Sequence, residues 1–280
     1  MSFEVSVGSA DDVQRMASWA GDEGWNPGNT DAPAFFATDP GGFLIGRLDG
    51  EPQACISVVK YGAGFGFLGF YIARPPVRGK GYGIQLWRAG MARLQGRNVG
   101  LDGVVAQQGN YKKSGFRLAW NNIRHEGPAP TGKAPSGVTF VDARGIAFDK
   151  LAAYDRRFFP EARDSFLASW ISASQRASMV ALKDGEIVGF AVMRACQAAS
   201  RVGPLYAATP DIAQGLVTAL AAKTGAKTVA IDVPDRNKPA VAIAVAMGLK
   251  PSFETARMYT GADPQVDYAG LYAVTSLELG

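Results

Sequence analysis

The residues best suited to bind a ligand form a short glycine-rich segment, Arg78-Gly79-Lys80-Gly81-Tyr82-Gly83. It lies between a strand-like run over residues 65–72 and a helix-like run over residues 84–94. A loop in this position leaves backbone N–H groups unpaired at the helix N-terminus, where the helix dipole also favours an anion. The missing side chains of the glycines let a phosphate approach the backbone, and Arg78 and Lys80 add positive charge. The segment therefore predicts binding of a phosphate or pyrophosphate group.

The spacing of this loop excludes two common phosphate-binding motifs. A P-loop needs a Lys-Ser/Thr pair after its last glycine, whereas Ile84-Gln85 follows Gly83 here. The dinucleotide fingerprint has a different glycine spacing and follows the first strand of its unit. The loop resembles instead the Arg/Gln-x-x-Gly-x-Gly/Ala loop of the GNAT superfamily of N-acetyltransferases, which holds the pyrophosphate of acetyl-CoA. Because the chain contains 34 glycines in 280 residues, this match depends on the elements around the loop.

Composition is that of an ordinary soluble protein. Apolar residues make up 47% of the chain and charged residues 19%, and no apolar run approaches the roughly 20 residues that span a bilayer. The N-terminus does not resemble a signal peptide, and two cysteines in strand-like runs form no disulfide framework, so we expect a cytoplasmic protein with reduced thiols. The net charge of +4 is scattered along the chain, which does not favour nucleic-acid binding. A single histidine argues against a metal site.

The two halves of the chain repeat one order of elements. Each half reads strand, two helices, a hairpin, a strand, a helix, a strand, a short helix and a final strand. The hairpin turns Asp49-Gly50 and Asp184-Gly185 lie 135 positions apart, and Gly115-Phe116 and Gly248-Leu249 lie 133 apart. A segment rich in proline and glycine, residues 127–136, separates the halves. This pattern predicts an α+β fold in two copies, with domains at residues 1–126 and 137–280.

The predicted order of elements is similar to that of the GNAT fold, so the resemblance extends over nearly the whole chain. It implies two tandem GNAT domains, each a mostly antiparallel sheet flanked by helices. It also implies that strand four splays from strand five, and that the pantetheine arm of acetyl-CoA pairs with strand four. The backbone of Tyr71, Ile72 and Ala73 would then meet the pantetheine and thioester, and the N–H groups of Arg78 through Gly83 would hold the pyrophosphate.

The resemblance further implies a catalytic role for Tyr111. Family members commonly carry a tyrosine four residues before a Gly-Phe pair, where it can protonate the departing thiolate, and Tyr111 has this spacing from Gly115-Phe116. A phenol has an ordinary pKa near 10, close enough to that of a thiol for proton transfer. Packing in the core is the alternative role. The asparagine that the family usually carries seven residues before this tyrosine is absent, since position 104 is Val104.

The general base is not identified by any motif, because the strand before the loop contains no acidic residue. Asp102, expected at the end of strand five, is the first candidate, with a simple carboxylate in an Asp102-Gly103 turn as its alternative. Glu23 is the second candidate. It lies with Trp25 in the loop between the first two helices, which lines the acceptor pocket in this fold; for Trp25 the alternative is core packing.

The second half lacks the binding loop. It reads Ala208-Thr209-Pro210-Asp211 at the corresponding position, with no Gly-x-Gly, and Asp211 places a negative charge where a pyrophosphate would sit. Ala244 replaces the tyrosine at the position equivalent to Tyr111. We therefore expect this domain not to bind CoA, and to shape the acceptor site or to brace the first domain.

These observations predict an N-acetyltransferase that uses acetyl-CoA as co-substrate and acetylates a primary amine by direct attack in a ternary complex. The acceptor, a small molecule or a peptide amine, is left open, as is the choice between monomer and homodimer. No nucleic-acid or membrane partner is expected. A non-catalytic acyl-CoA sensor or protein-interaction module is the alternative, supported by the missing base and the degenerate second half.

Overall fold

The computed structural model describes residues 2–280, which form eight helices and thirteen strands. The strands are β1 Phe3–Val7, β2 Phe43–Leu48, β3 Glu51–Tyr61, β4 Phe65–Ala73, β5 Asn98–Val104, β6 Arg117–Pro128, β7 Thr139–Asp142, β8 Arg176–Lys183, β9 Glu186–Arg194, β10 Ser200–Ala207, β11 Thr228–Pro234, β12 Lys250–Tyr259 and β13 Leu271–Ala273. The helices are α1 Ala10–Asp22, α2 Asp31–Thr38, α3 Tyr82–Arg93, α4 Gln108–Lys113, α5 Phe148–Asp155, α6 Asp164–Ser172, α7 Pro210–Thr224 and α8 Lys238–Ala246. No helix among these residues is long and apolar enough to cross a membrane.

Local sequence signals explain several element boundaries. Ser9 begins α1 with a capping box, in which its hydroxyl and the Asp12 carboxylate each accept a backbone N–H of the other. Both Asp-Gly turns close hairpins with positive φ at both residues, as two-residue hairpin loops require. The predicted order of elements is confirmed up to β12. One strand was not predicted: β13, in the last twenty residues.

All thirteen strands belong to one mixed sheet, which is mostly antiparallel. Twelve of them follow the order β1-β2-β3-β4-β5-β12-β6-β11-β10-β9-β8-β7, and β13 pairs with β10. Parallel pairing occurs only between β4 and β5 and between β10 and β11. These two parallel pairs occupy equivalent places in the repeat.

The two halves exchange their last strands at the centre of this sheet. Strand β12 of the second half pairs with β5 of the first, from Thr255 opposite Val104 to Tyr259 opposite Gly100. Strand β6 pairs with β11 of the second half, and it continues through Pro128, two residues into the segment predicted as a linker. Each half of the sheet is therefore completed by a strand from the other half of the sequence. The predicted domains, residues 1–126 and 137–280, are contiguous and do not include this exchange.

Helices α2 and α6 pack the two halves together on one face of the sheet. Phe35 and Trp170, which lie 135 positions apart like the two hairpin turns, stack on each other with ring centroids 5.8 Å apart. Asp31 beside them is fully buried and pairs with Arg176 at 2.8 Å and Arg194 at 2.7 Å, both from the second half. The repeat thus forms an approximate internal twofold with a shared core.

Candidate functional site

A large cavity lies where β4 and β5 separate, in the first half of the chain. Its volume is about 520 Å³, within the usual range for small-molecule sites. Pairing between these strands ends at Leu68 and Leu101, beyond which β5 continues alongside β12 only. From Gly69 onward β4 therefore keeps hydrogen bonds to β3 on one edge while its other edge faces the cavity.

The glycine-rich loop forms one wall of this cavity. Gly79 and Gly81 have φ values of 73° and 82°, a backbone region that favours glycine, and Gly81 begins α3 with no side-chain cap for the first N–H groups. Arg78, Gly79, Gly81 and Gly83 line the cavity, together with Tyr71, Ile72 and Ala73 of β4. The structure therefore brings together seven of the nine residues predicted to contact the cofactor.

The other two residues lie outside the cavity lining. Tyr82 stacks on Phe3 at 4.5 Å and so packs α3 against β1, while Lys80 is exposed at the tip of the loop.

Tyr111 is buried at the cavity wall. Its ring stacks on Trp87 of α3 at 5.7 Å and lies directly against Gly103 of β5, where any side chain would overlap it. Gly103 therefore lies in a strand rather than in a turn, at a position where only glycine leaves room for the ring of Tyr111. Burial raises the pKa of Tyr111 to about 12, so its phenol keeps its proton at neutral pH.

Asp102 lies inside β5, and its side chain is fully inaccessible, so only its backbone reaches the cavity. Arg257 of β12 binds both carboxylate oxygens, at 2.8 and 2.6 Å, and Asn122 of β6 donates to Oδ1 at 2.7 Å. Burial raises the pKa of Asp102, and the charge of Arg257 opposes that shift. A carboxylate held in this way links the exchanged strands; it is not the accessible, unpaired group expected of a general base.

Glu23 and Trp25 line the mouth of the cavity. Glu23 forms an ion pair with Arg78 of the glycine-rich loop, and its side chain is 33% exposed. The carbonyl oxygen of Trp25 accepts a hydrogen bond from Arg124 of β6 at 2.9 Å, which holds this loop against the sheet.

In the second half, β10 and β11 separate in the same way as β4 and β5. The wedge-shaped gap between them, called the wedge below, is filled by the chain itself. Strand β10 pairs with β11 only through Val202, and then Leu205 and Tyr206 pair with Ala273 and Leu271 of β13. Leu205 and Tyr206 occur 135 positions after Phe70 and Tyr71, so β13 occupies the place that is open beside β4.

The N-terminus of α7 in this half also offers fewer free backbone N–H groups to an anion. The Thr209 hydroxyl caps it by accepting from Ile212 N, and Pro210 removes a donor.

After β13 the chain crosses into the first half, where Leu277 and Glu278 line the large cavity. Neither residue was predicted, because this irregular segment has no counterpart in the first half and no motif that would locate it. Cys55 and Cys196 do not line the cavity. Within residues 2–280 there is also no group of three or more His, Cys, Asp or Glu side chains arranged to hold a metal ion.

Comparison with known proteins agrees with this geometry. Residues 10–116 match the model of the acetyltransferase (GNAT) family, and residues 151–273 match that of an acetyltransferase (GNAT) domain. The holothin acyltransferase of Pseudoalteromonas sp. (strain SANK 73390) is 34% identical over 274 residues, which cover 97% of this chain and 92% of that protein.

Solved structures show the same fold at lower identity. A candidate acetyltransferase from Pyrococcus horikoshii, 20% identical, has a TM-score of 0.83, with 99% of this chain and 96% of that one covered. A tandem GNAT protein from the clavulanic acid biosynthesis pathway, 14% identical, has a TM-score of 0.66, with 94% and 100% covered. With a GNAT match in each half and an acyltransferase aligned over nearly its full length, the chain belongs to the GNAT family of acyltransferases.

Proposed function

We propose that the first half of the chain binds acetyl-CoA and transfers its acetyl group to a primary amine by direct attack. The observation that carries this proposal is the single cavity that joins the glycine-rich loop, the free edge of β4 and Tyr111. Each of these supplies one requirement of acyl transfer: an anion site, an oriented thioester and a proton donor.

The residues present fit acetyl-CoA. The N–H groups from Arg78 to Gly83 would hold the pyrophosphate at the N-terminus of α3, where the bare backbone of Gly79 and Gly81 admits it closely. The free edge of β4 at Tyr71–Ala73 offers backbone groups to the amides of pantetheine, as an added strand does. Glu23 must release Arg78, at least in part, for this guanidinium to meet a phosphate.

Tyr111 would donate its proton to the departing sulfur. Its raised pKa, about 12, means that the phenol is fully protonated before the step and that the phenolate formed is basic enough to regain a proton at once. The nitrogen, which loses a proton as the amide forms, is the source of that proton.

Direct attack is favoured because neither cysteine is placed as a nucleophile. Burial raises the pKa of Cys55, and its thiol donates to Phe70 O at 3.1 Å on the side of β4 away from the opening. Cys196 lies in the second half, where burial also raises its pKa. A raised pKa leaves little thiolate, which is the reactive form.

We further propose one acyl-CoA site per chain, with the second half as a structural partner that contributes to the first cavity through Phe253, Thr255, Leu277 and Glu278. The filled wedge beside β10 supports this assignment. The similarity to an enzyme named for holothin supports a small-molecule amine as the acceptor, rather than a protein lysine.

Calorimetric titration of acetyl-CoA tests the binding site. The wild type should bind one equivalent per chain, and Gly81→Asp should weaken binding at least about tenfold more than Gly81→Ala. The alanine variant controls for the strain of a side chain at φ 82°, whereas only aspartate adds a charge that repels the pyrophosphate. Binding of two equivalents of acetyl-CoA per chain, or an equal loss of affinity in both variants, would contradict the assignment.

Transfer is tested separately, by following release of the free CoA thiol with a panel of primary alkylamines and arylamines of similar size. Acetylation of one or more amines supports the proposed reaction. Binding of acetyl-CoA without transfer to any amine would favour a non-catalytic sensor.

A further inference from the structure

A buried glutamate from the second half borders the cavity of the first. Glu278 is 2% exposed and lines the cavity at the point where β4 and β5 separate. Its carbonyl oxygen lies directly over Gly69 of β4, where any side chain would overlap it, and accepts from the Ser57 hydroxyl at 3.4 Å. The next residue is anchored as well, since Leu279 O accepts from the Tyr61 hydroxyl at 2.9 Å. The backbone that carries Glu278 is therefore held in place.

Only one of the two carboxylate oxygens of Glu278 has a hydrogen-bond partner. Oε1 lies 3.5 Å from Nη1 of Arg201, whose Nη2 makes a shorter bond of 2.6 Å to Asp232. Oε2 is buried and has no hydrogen-bond partner among residues 2–280. Leaving a buried polar group unsatisfied costs about 1–3 kcal/mol, and more for a charged group. Such an arrangement is expected where a ligand completes it.

Glu278 also differs from the other two carboxylates that line the cavity. Both oxygens of Asp102 are bonded to Arg257 or Asn122. Glu23 is held at the mouth by Arg78. Within the described cavity lining, only Glu278 combines burial with a free carboxylate oxygen.

Resting on the acetyl transfer proposed above, we infer that Glu278 binds the ammonium group of the acceptor and takes its proton. An alkylammonium reaching Oε2 gives one proton to this carboxylate and becomes a neutral amine. The amine nitrogen forms a bond to the thioester carbonyl carbon, and the carbon–sulfur bond breaks. The sulfur takes a proton from Tyr111, which regains one from the nitrogen. The proton on Glu278 then leaves to water, so one proton is released per turnover.

The carboxylate thereby lets the acceptor site use amines that are charged in solution, in addition to neutral ones. The second half of the chain supplies the proton acceptor, while the first half supplies the anion site and the proton donor. This division also explains why an irregular tail crosses from β13 into the opposite half.

The test compares amines of different basicity in Glu278→Gln. An alkylamine is almost wholly protonated at pH 7.5, since its pKa is near 10, whereas an arylamine of similar size is already neutral. Loss of the base should lower kcat/KM for alkylamines by about 100-fold or more, and for arylamines by no more than about threefold. Glu186→Gln, the same change on an exposed carboxylate of β9, is the matched control and should leave both values unchanged.

Acetyl-CoA titration of each variant verifies that the fold and cofactor site persist. If Glu278→Gln does not fold, Glu278→Asp provides the same comparison, because it keeps the charge opposite Arg201 but withdraws the carboxylate by one methylene. Equal losses for alkylamines and arylamines, no loss in Glu278→Gln, or a wild type that uses only arylamines would overturn the inference and leave the proposed function standing. A wild type that acetylates no amine would overturn both.

Discussion

The ion pair between Asp102 and Arg257 should contribute to stability rather than to proton transfer. The pair joins β5 of the first half to β12 of the second, with N–O distances of 2.8 and 2.6 Å and side chains 0% and 7% exposed. Asp102→Asn removes the negative charge and keeps an oxygen that can accept from Asn122. It leaves the Arg257 guanidinium buried without a counter-ion, which typically costs 3–5 kcal/mol.

The assay is urea denaturation of the wild type, Asp102→Asn and the double variant Asp102→Asn/Arg257→Met. We expect the single variant to lose about 3–5 kcal/mol of unfolding free energy, with a fall in Tm on the order of 10 °C. The double variant should recover more than half of that loss, because methionine removes the unpaired charge and can pack against the rings of Phe67 and Trp120, which the guanidinium of Arg257 now covers.

The turnover rate of Asp102→Asn, measured without urea and at a temperature at which the variant is fully folded, should stay within about threefold of the wild-type rate. A loss of about 100-fold with unchanged stability and unchanged acetyl-CoA affinity would refute this reasoning and identify Asp102 as the general base.

Two further predictions concern the proposed role of Tyr111 and the response to acid. Tyr111→Phe keeps the stacking on Trp87 but removes the hydroxyl, so kcat should fall about 100-fold while acetyl-CoA affinity changes less than about threefold; an unchanged kcat would leave Tyr111 with a packing role only. Burial would raise the pKa of Asp232, but the guanidinium groups of Arg124 and Arg201 hold it well below its usual range. The unfolded chain, with an aspartate pKa near 3.9, then binds more protons than the folded one, so this contribution to stability is complete above about pH 5 and is lost as the pH falls below about 4. In urea denaturation across pH 7 to 2.5, Asp232→Asn should be less stable at neutral pH and show a shallower acid slope, and parallel curves would contradict the assignment.

Much of the fold could be predicted because its signals are local. The Ser9 capping box, the Asp-Gly hairpins and the glycine-rich loop each depend on residues within a few positions of one another. The 135-residue repeat follows from comparing such signals, and it also relates the stacked pair Phe35 and Trp170. Local signals likewise placed seven of nine predicted cofactor contacts around one cavity.

The site was harder to predict where it depends on distant parts of the chain. Asp102 has the chemistry of a base, but only the position of β12 reveals that Arg257 binds both of its oxygens. In the sequence, Gly103 is typical of a turn residue beside an aspartate. In the structure it lies in a strand, and it must be glycine because the ring of Tyr111 occupies the space of a side chain there. Glu278 is an ordinary acidic residue until the tail is seen in the cavity of the other half.

The sequence by itself therefore determined two copies of one α+β unit, a glycine-rich loop in the first copy and the absence of that loop from the second. These properties follow from periodicity, turn chemistry and residue type within short windows. Only the tertiary structure decided that β6 and β12 change places, that β13 fills the second wedge and that Glu278 enters the first. The physical reason is that strand edges offer the same backbone groups to any partner, so which strands pair is decided by packing across the whole molecule.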